Sequence, residues 1–319
     1  MRWLQLRPLA LLLASFATLA ACQQVEAPAA AASTYSPAAE PAENYVEFET
    51  PEALQAYLSA DSEFAPFVSA HRGGPEPGYP ENAIETFENA LRYAPVLLEM
   101  DVRETADGTL VLMHDETLER TTTGVGLLSE TTLAELQELY LVDNDGQATE
   151  FKAPTLDEVL EWSKGRAIVQ LDVKRGVSPV GVLAAIARHQ AEDRAVVIVY
   201  NLEDLLAYHT SNPNLMVSSS VSDLSDLQEI REAGVNLEKI TAFTGVGDFN
   251  EALVRDLNEA GVLPAMGTFG DMDEAAERQG SQVYDFLLEG GLGILATDNV
   301  PKAAEAVHRY SEEEESEAA

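Results

Sequence analysis

A closed (β/α)8 barrel is the fold class this sequence predicts, and three observations carry the prediction. From Phe64 onward, short apolar runs of strand character alternate with segments of helical spacing, and eight strand–helix units in about 250 residues are what one such barrel needs. The alternation runs on without an internal repeat or a second domain, whereas a doubly wound open sheet seldom uses eight units in one domain. Charged residues also gather where strand candidates run out into loops, the end at which a barrel carries its catalytic groups.

The elements follow in order. Thr50-Pro51 reads as the N-cap and first position of a short helix ending near Leu58. Phe67–Ala70 is the first strand, followed by a helix over Glu81–Tyr93. Val96–Val102 is the second, extended by Thr109–His114 after the turn at Asp107-Gly108. A small insertion after this second strand, residues 116–152, precedes a helix at Thr155–Ser163. Ala167–Val173, Val196–Tyr200, Leu215–Ser220, Ile240–Phe243, Leu263–Met266 and Ile294–Ala296 supply the remaining strands. Helical patterns between and after them cover Val180–His189, Asp223–Ala233, Glu251–Ala260, Met272–Glu289 and Pro301–Tyr310. A hydrophobic fraction of 46% is enough to fill the core of such a barrel.

Both ends differ from this middle. Arg2 and Arg7 precede an apolar run from Leu9 to Ala21 that holds no acidic residue, the pattern of an export signal. The run is short for a membrane-spanning helix, which needs about 20 residues. It ends Leu19-Ala20-Ala21-Cys22, and Cys22 is the one cysteine of the chain. This resembles the lipobox of bacterial lipoprotein signals. The resemblance implies that residues 1–21 are a removed signal peptide, that Cys22 is lipidated, and that the chain is a periplasm-facing lipoprotein of the cell envelope. Gln23 rather than Asp follows the cysteine, which by the same resemblance favours the outer membrane. Residues 23–48 are rich in Ala, Pro, Ser and Glu and read as a disordered tether. Residues 22–62 are thus expected to hold the lipidated cysteine, the tether and the short helix, ahead of a barrel domain at 63–310. Glu312–Glu315 form a like-charge run, and residues 311–319 are expected to be a disordered acidic tail.

The balance of 19 basic against 55 acidic residues gives a net charge of −36. Such a chain repels a phosphate backbone, so nucleic acid is excluded as a partner; the acidity itself describes a solvated surface.

The chemistry lies in a few positions. His71-Arg72-Gly73 sits where the first strand ends, and His114-Asp115 follows the second. Two imidazoles can give one proton and take another near neutral pH. Between them, Glu99 and Asp101 are two apart and point to the same side of a strand. Burying two like charges is costly unless something compensates. A divalent cation does so, and oxygen ligands select a hard ion such as Mg2+ or Ca2+; a solvated strand end with both acids facing water is the alternative. Asp172 and Lys174 repeat the arrangement on the third strand. They either complete the metal site and meet a phosphoryl oxygen or form a simple salt-bridged strand end. His189, His209 and His308 fall in helical or flanking segments and read as surface or packing residues.

At these residues the chain resembles the glycerophosphodiester phosphodiesterase family, whose fold is the TIM barrel. His71-Arg72-Gly73, Pro80-Glu81-Asn82, Glu99-Met100-Asp101, Thr105-Ala106-Asp107-Gly108, His114-Asp115 and Arg120-Thr121-Thr122 match that family's opening motifs in order and spacing. Ala153-Pro154-Thr155-Leu156, Asp172-Val173-Lys174 and Thr297-Asp298-Asn299 resemble its later landmarks, so the match runs from residue 67 to about 305. It implies that Glu99, Asp101 and Asp172 bind Ca2+ or Mg2+, that Arg72 pairs with phosphate, and that Asn82 and Lys174 help to hold it. It further implies a phosphodiester substrate, His71 as base and His114 as acid, and glycerol 3-phosphate plus an alcohol as products. Three departures stand out. Asp172 occupies a position usually held by Glu, Ala83 one often held by Thr, and Ala265-Met266-Gly267-Thr268 replaces a seventh-strand motif that commonly carries Trp. The last is expected to alter the pocket wall, and hence the substrate more than the reaction. Two rival readings remain: a phospholipase C- or D-like hydrolase acting on lysophospholipids, and an inactive lipid- or phosphodiester-binding lipoprotein on the same scaffold.

Overall fold

The structure, a computed structural model, describes residues 44–318. Its strands are β1 (Phe67–Ala70), β2 (Leu97–Glu104), β3 (Leu110–Leu112), β4 (Ile168–Val173), β5 (Ala195–Val199), β6 (Met216–Ser220), β7 (Ile240–Val246), β8 (Leu263–Gly267) and β9 (Ile294–Thr297). The order around the sheet is β1-β9-β8-β7-β6-β5-β4-β2, and β1 pairs with β2 to close eight parallel strands into a barrel. β3 stands apart, pairing antiparallel with the outer end of β2 so that Val102 faces Leu112. Thr109–His114 therefore folds back on the second strand rather than prolonging it. Gly108, at φ +80°, supplies the left-handed residue that the reversal requires.

Strand alternation sorts the side chains into two environments. Leu98, Met100, Val102, Val169, Leu171, Val197 and Val217 point outward into the layer packed against the helices. Phe67, Leu97, Ile168, Val196, Met216, Leu263 and Ile294 point inward and fill the N-terminal half of the barrel. Leu54 and Leu58, from the helix Pro51–Tyr57 and its end, join that inner cluster and plug the bottom. The helix begins as its sequence indicates, with Pro51 in the first turn and the Thr50 side chain accepting the Ala53 amide.

This plug corrects the N-terminal boundary. The Val46 amide donates to Arg166 O at 2.9 Å, Asn44 Nδ2 donates to Leu91 O at 2.9 Å, and the Phe48 ring lies 5.0 Å from that of Tyr57. Residues 44–62 are part of the barrel domain, because three bulky side chains at 45, 46 and 48 give the segment enough apolar surface to hold it down. The expected signal peptide, Cys22 and the tether up to residue 43 lie outside the described residues.

Other boundaries move for local reasons. The helix expected from Glu81 starts at Ile84, since Asn82 takes φ +60° and cannot belong to it. The single helix expected over Met272–Glu289 is broken at Gly280, φ +106°, into Asp271–Gln279, a 3-10 turn at Ser281–Tyr284 and a short helix Asp285–Glu289. The C-terminal helix runs from Val300 to Ala318, through the tail expected to lack structure. Glu and Ala are good helix formers, and extending a helix already docked on the barrel needs no new nucleus. The insertion after β3 has a core of its own, where Leu118, Leu128, Leu136 and Leu141 pack on Val111 and Met113. Among the described residues no helix is long and apolar enough to cross a membrane.

Candidate active site

The alternation that sends Leu97 to the barrel floor brings Glu99 and then Asp101 up the same inner face. β2 and β4 run in register, Glu99 beside Gln170 and Asp101 beside Asp172. Each of the three buried acids offers a carboxylate oxygen, and these oxygens lie within 4.8 Å of one another. Lys174 Nζ sits 2.6 Å from Asp101 Oδ1 and also bonds Asp172 Oδ2, setting one ammonium against three acids. The second Asp172 oxygen, Oδ1, is buried without a hydrogen bond. Burial, with the Asp101 charge beside it, pushes the Glu99 carboxyl up to about 8. Burial also acts on Asp101, but there it is outweighed by the charge and hydrogen bond of Lys174 and by the Asn82 amide, so its pKa falls below the ordinary value.

The histidines stand beside this cluster, and each is backed by a carboxylate. His71 Nδ1 lies 2.6 Å from Asp298 Oδ1, and His114 Nδ1 lies 2.7 Å from Asp115 Oδ1. A carboxylate at Nδ1 fixes the tautomer with its proton there and leaves Nε2 for substrate. Burial depresses His71, yet its bond to Asp298 and the charges of Glu99 and Asp298 more than offset this, so its pKa lies above the usual histidine value. Asp298 is itself held by buried Asp273, whose Oδ2 accepts the Asp298 amide at 2.7 Å while Oδ1 accepts the hydroxyls of Thr268, Tyr284 and Thr297. The hydrogen bond from Arg120 holds Asp115 well below the usual carboxylate range. Arg120 bridges onward to Glu81 through two bonds of 2.8 and 2.9 Å, and Glu81 also accepts from Arg72 at 3.0 Å.

The turn after β1 fixes Arg72. The residue adopts φ +51°, its amide donates to Glu99 Oε2 at 2.6 Å, and its buried Nε makes no hydrogen bond, lying 3.8 Å from Asp101 Oδ2. Gly73 follows at φ +85°, where an added Cβ would fall 2.3 Å from the Phe87 ring. Gly73→Ala is therefore expected to cost about 2–4 kcal/mol, from the left-handed backbone together with overpacking, as read by denaturant unfolding. An unchanged midpoint would mean that the turn has another way to relax.

A cavity of about 270 Å³ opens inside the barrel mouth, lined by His71, Glu99 and Asp172 on one side and by Phe243, Val246 and Phe269 on another. Phe269 forms part of this wall. Its ring stacks on His71 at 4.1 Å between centroids and 26° between planes. It reaches there because Gly267 has no side chain; a Cβ would meet the ring at 2.7 Å.

His71, Arg72, Glu99, Asp101, Asp172 and Lys174 thus meet at the C-terminal mouth, with His114 on the adjoining hairpin. Asn82 stands against the acid cluster. Its Nδ2 donates to Asp101 Oδ2 at 2.7 Å and its Oδ1 accepts the Asp101 amide at 2.9 Å, so it braces that acid. The pairings of Asp298 with His71 and of Glu81 with two arginines join residues far apart in sequence, and no local pattern announces them. Asp115, adjoining His114, was the one partner with a local signal.

The sequence profile of the Glycerophosphoryl diester phosphodiesterase family matches residues 71–284. A glycerophosphodiester phosphodiesterase of Bacillus subtilis is 30% identical over 219 residues, spanning 61% of this chain and 73% of that protein. One from Caldanaerobacter subterraneus is 33% identical over 158 residues, spanning 47% of this chain and 64% of its own length. The crystal structure of a glycerophosphoryl diester phosphodiesterase from Parabacteroides distasonis is similar with a TM-score of 0.80 at 32% identity, covering 83% of this chain and 94% of that one.

Proposed function

Because the chain belongs to the glycerophosphoryl diester phosphodiesterase family, we propose that it hydrolyses glycerophosphodiesters to glycerol 3-phosphate and an alcohol, with a divalent cation and two histidines. The observation that carries this reading is the convergence of three buried carboxylates beside an imidazole that is itself backed by a carboxylate. The residues fit a hard divalent cation, Ca2+ or Mg2+. Their donors are all oxygen, Asp172 Oδ1 is buried without a hydrogen bond, and the Lys174 ammonium with the Arg72 guanidinium 3.8 Å from Asp101 leaves the three acids short of positive charge. When bound, such an ion supplies Lewis-acid polarisation of a phosphoryl oxygen.

The chain's own groups do the rest. Arg72 Nε and Lys174 Nζ donate to the phosphoryl oxygens, the first being a buried donor that makes no hydrogen bond of its own. His71 Nε2 takes the proton from the attacking hydroxyl, of water or of the substrate, as its oxygen bonds to phosphorus. His114 Nε2 gives a proton to the departing alcohol oxygen as that bond breaks. Asp298 and Asp115 stabilise the imidazolium forms and keep the rings oriented. A site complete in every acid and base favours hydrolysis over passive binding.

Purified enzyme with added divalent ion is expected to release glycerol 3-phosphate from glycerophosphodiesters, and to prefer them to intact lysophospholipids. Turnover of lysophospholipid alone would overturn the substrate assignment. The motif ending at Cys22 supports a lipid anchor in the cell envelope, on the outer membrane. Cys22→Ser is expected to move the protein from the membrane fraction to the soluble one; an unchanged distribution rejects the anchor.

A further inference from the structure

A general base must be aimed as well as basic, and one hydrogen bond does not aim His71. The bond at Nδ1 leaves the imidazole free to swing about it, and that swing displaces Nε2 from the proton it is to take. The Asp298 side chain is moreover 47% exposed, so water competes for its oxygens. A second contact removes the freedom. The Phe269 ring lies against the face of the imidazole, 4.1 Å away between centroids and 26° from parallel, so edge and face are both fixed.

Both contacts trace back to one buried group. Phe269 follows Thr268, just past the end of β8, and Asp298 follows Thr297, the last residue of β9. The two threonine hydroxyls donate to the same oxygen, Asp273 Oδ1, at 2.6 and 2.9 Å. Asp273 Oδ2 accepts the Asp298 amide at 2.7 Å, and the Asp273 amide donates to Thr268 O at 3.2 Å. Thr268 N then reaches across to Ala296 O at 2.8 Å, joining the two strand ends directly. Asp273 is 5% exposed, and burying a carboxylate so deeply is costly unless hydrogen bonds answer it. Four donors do so, and all but the Tyr284 hydroxyl belong to the segments that carry Phe269 and Asp298.

We propose that Asp273 and Phe269 are positioning residues for the His71 base: Asp273 clamps the ends of β8 and β9 so that Asp298 meets the edge of the imidazole and Phe269 its face. The assignment rests on the hydrolase reading above. Phe269 also lines the substrate cavity, and kinetics separate the two roles. A residue that only walls the cavity shows in KM, whereas one that aims the base shows in kcat.

The test pairs kinetics of the metal-loaded enzyme on a glycerophosphodiester with NMR of the His71 ring. Phe269→Leu is expected to lower kcat about 5- to 50-fold and to leave KM within about twofold, as a misplaced base does. Phe269→Tyr restores a ring on that face and should recover most of the loss. Gly267→Ala, whose Cβ would meet the Phe269 ring at 2.7 Å, should push it aside and act like Phe269→Leu. Asp273→Asn sets an amide donor against the Asp298 N–H and should lower kcat about 10- to 100-fold. Thr297→Val removes one donor but leaves the Asp273 carboxylate, and reads the same link should Asp273→Asn not fold. A stacked ring moves the His71 carbon-bound proton resonances upfield, a signature that lowered stability alone does not change in a folded sample. That shift is expected in wild type and Phe269→Tyr, and should be lost in Phe269→Leu and diminished in Asp273→Asn. A Phe269→Leu enzyme with unchanged kcat, or with a loss confined to KM, overturns the role of Phe269. Folded Asp273→Asn, or Thr297→Val in its place, with both the shift and kcat of wild type overturns that of Asp273. The NMR arm needs neither metal nor turnover. A wild type that shows the shift but hydrolyses no glycerophosphodiester rejects the hydrolase reading and retains the clamp, whereas hydrolysis with an unshifted His71 does the reverse.

Discussion

His71→Ala and His114→Ala are each expected to lower kcat by about 10²–10⁴-fold, the loss that follows removal of a positioned acid or base. Neither variant should lower the melting temperature greatly, since both rings stand at the open mouth of the barrel rather than in its core. The effects should not multiply in the double variant, because proton removal and proton donation serve one displacement. Asp298→Asn separates orientation from charge. An amide keeps a hydrogen bond to His71 Nδ1 but removes the negative charge that helps raise the imidazole. The base must be neutral to act, so a raised pKa places the acid limb of the rate profile above the ordinary histidine value. Asp298→Asn should therefore move that limb to lower pH as well as slow turnover. Steady-state kinetics across pH 5–9 on matched, folded proteins would check both. A His71→Ala enzyme with wild-type kcat would remove the imidazole from the mechanism.

The barrel was legible because its signals are local. Strand alternation at Val96–Val102 and the cap at Thr50-Pro51 depend on neighbours a few residues away, and the structure keeps them. Glu99 and Asp101 could be placed on one face for the same reason. Their meeting with Asp172 depends on the register of β2 against β4, which spacing along the chain does not encode. The N-terminal plug was misread because composition over residues 23–48 is dominated by small residues, while its fate is decided by Tyr45, Val46 and Phe48. The brace that Asn82 gives Asp101 is a related case. Its motif says that it is near the site, but only the left-handed backbone turns its amide onto Asp101. Phe269 occupies a place that no residue type foretells, since what admits it is the absence of a side chain at Gly267.

Removal of divalent ions should abolish activity, and the pH dependence of ion binding should identify the carboxylate responsible. In the metal-free protein Glu99 is pushed up to about 8 by burial and by its acidic neighbour, so below that pH it carries a proton. A cation must displace this proton to gain the ligand. Its affinity should therefore rise with pH through neutrality and level off above about 8, with close to one proton released per ion bound near pH 6–7. Titration calorimetry in buffers of different ionisation enthalpy measures that proton directly. Glu99→Gln cannot release it and should bind the ion weakly at every pH, whereas Asp101→Asn and Asp172→Asn should weaken binding and, by removing a charge that raises Glu99, move the dependence to lower pH without abolishing it. Asp101→Asn also frees Lys174 from one of its two partners, leaving the ammonium to neutralise Asp172 alone. Proton release unchanged in Glu99→Gln would assign the coupling to another group. Activity that survives complete chelation would mean that Lys174 and Arg72 suffice to balance the phosphate, and that the three acids serve only to hold those cations in place.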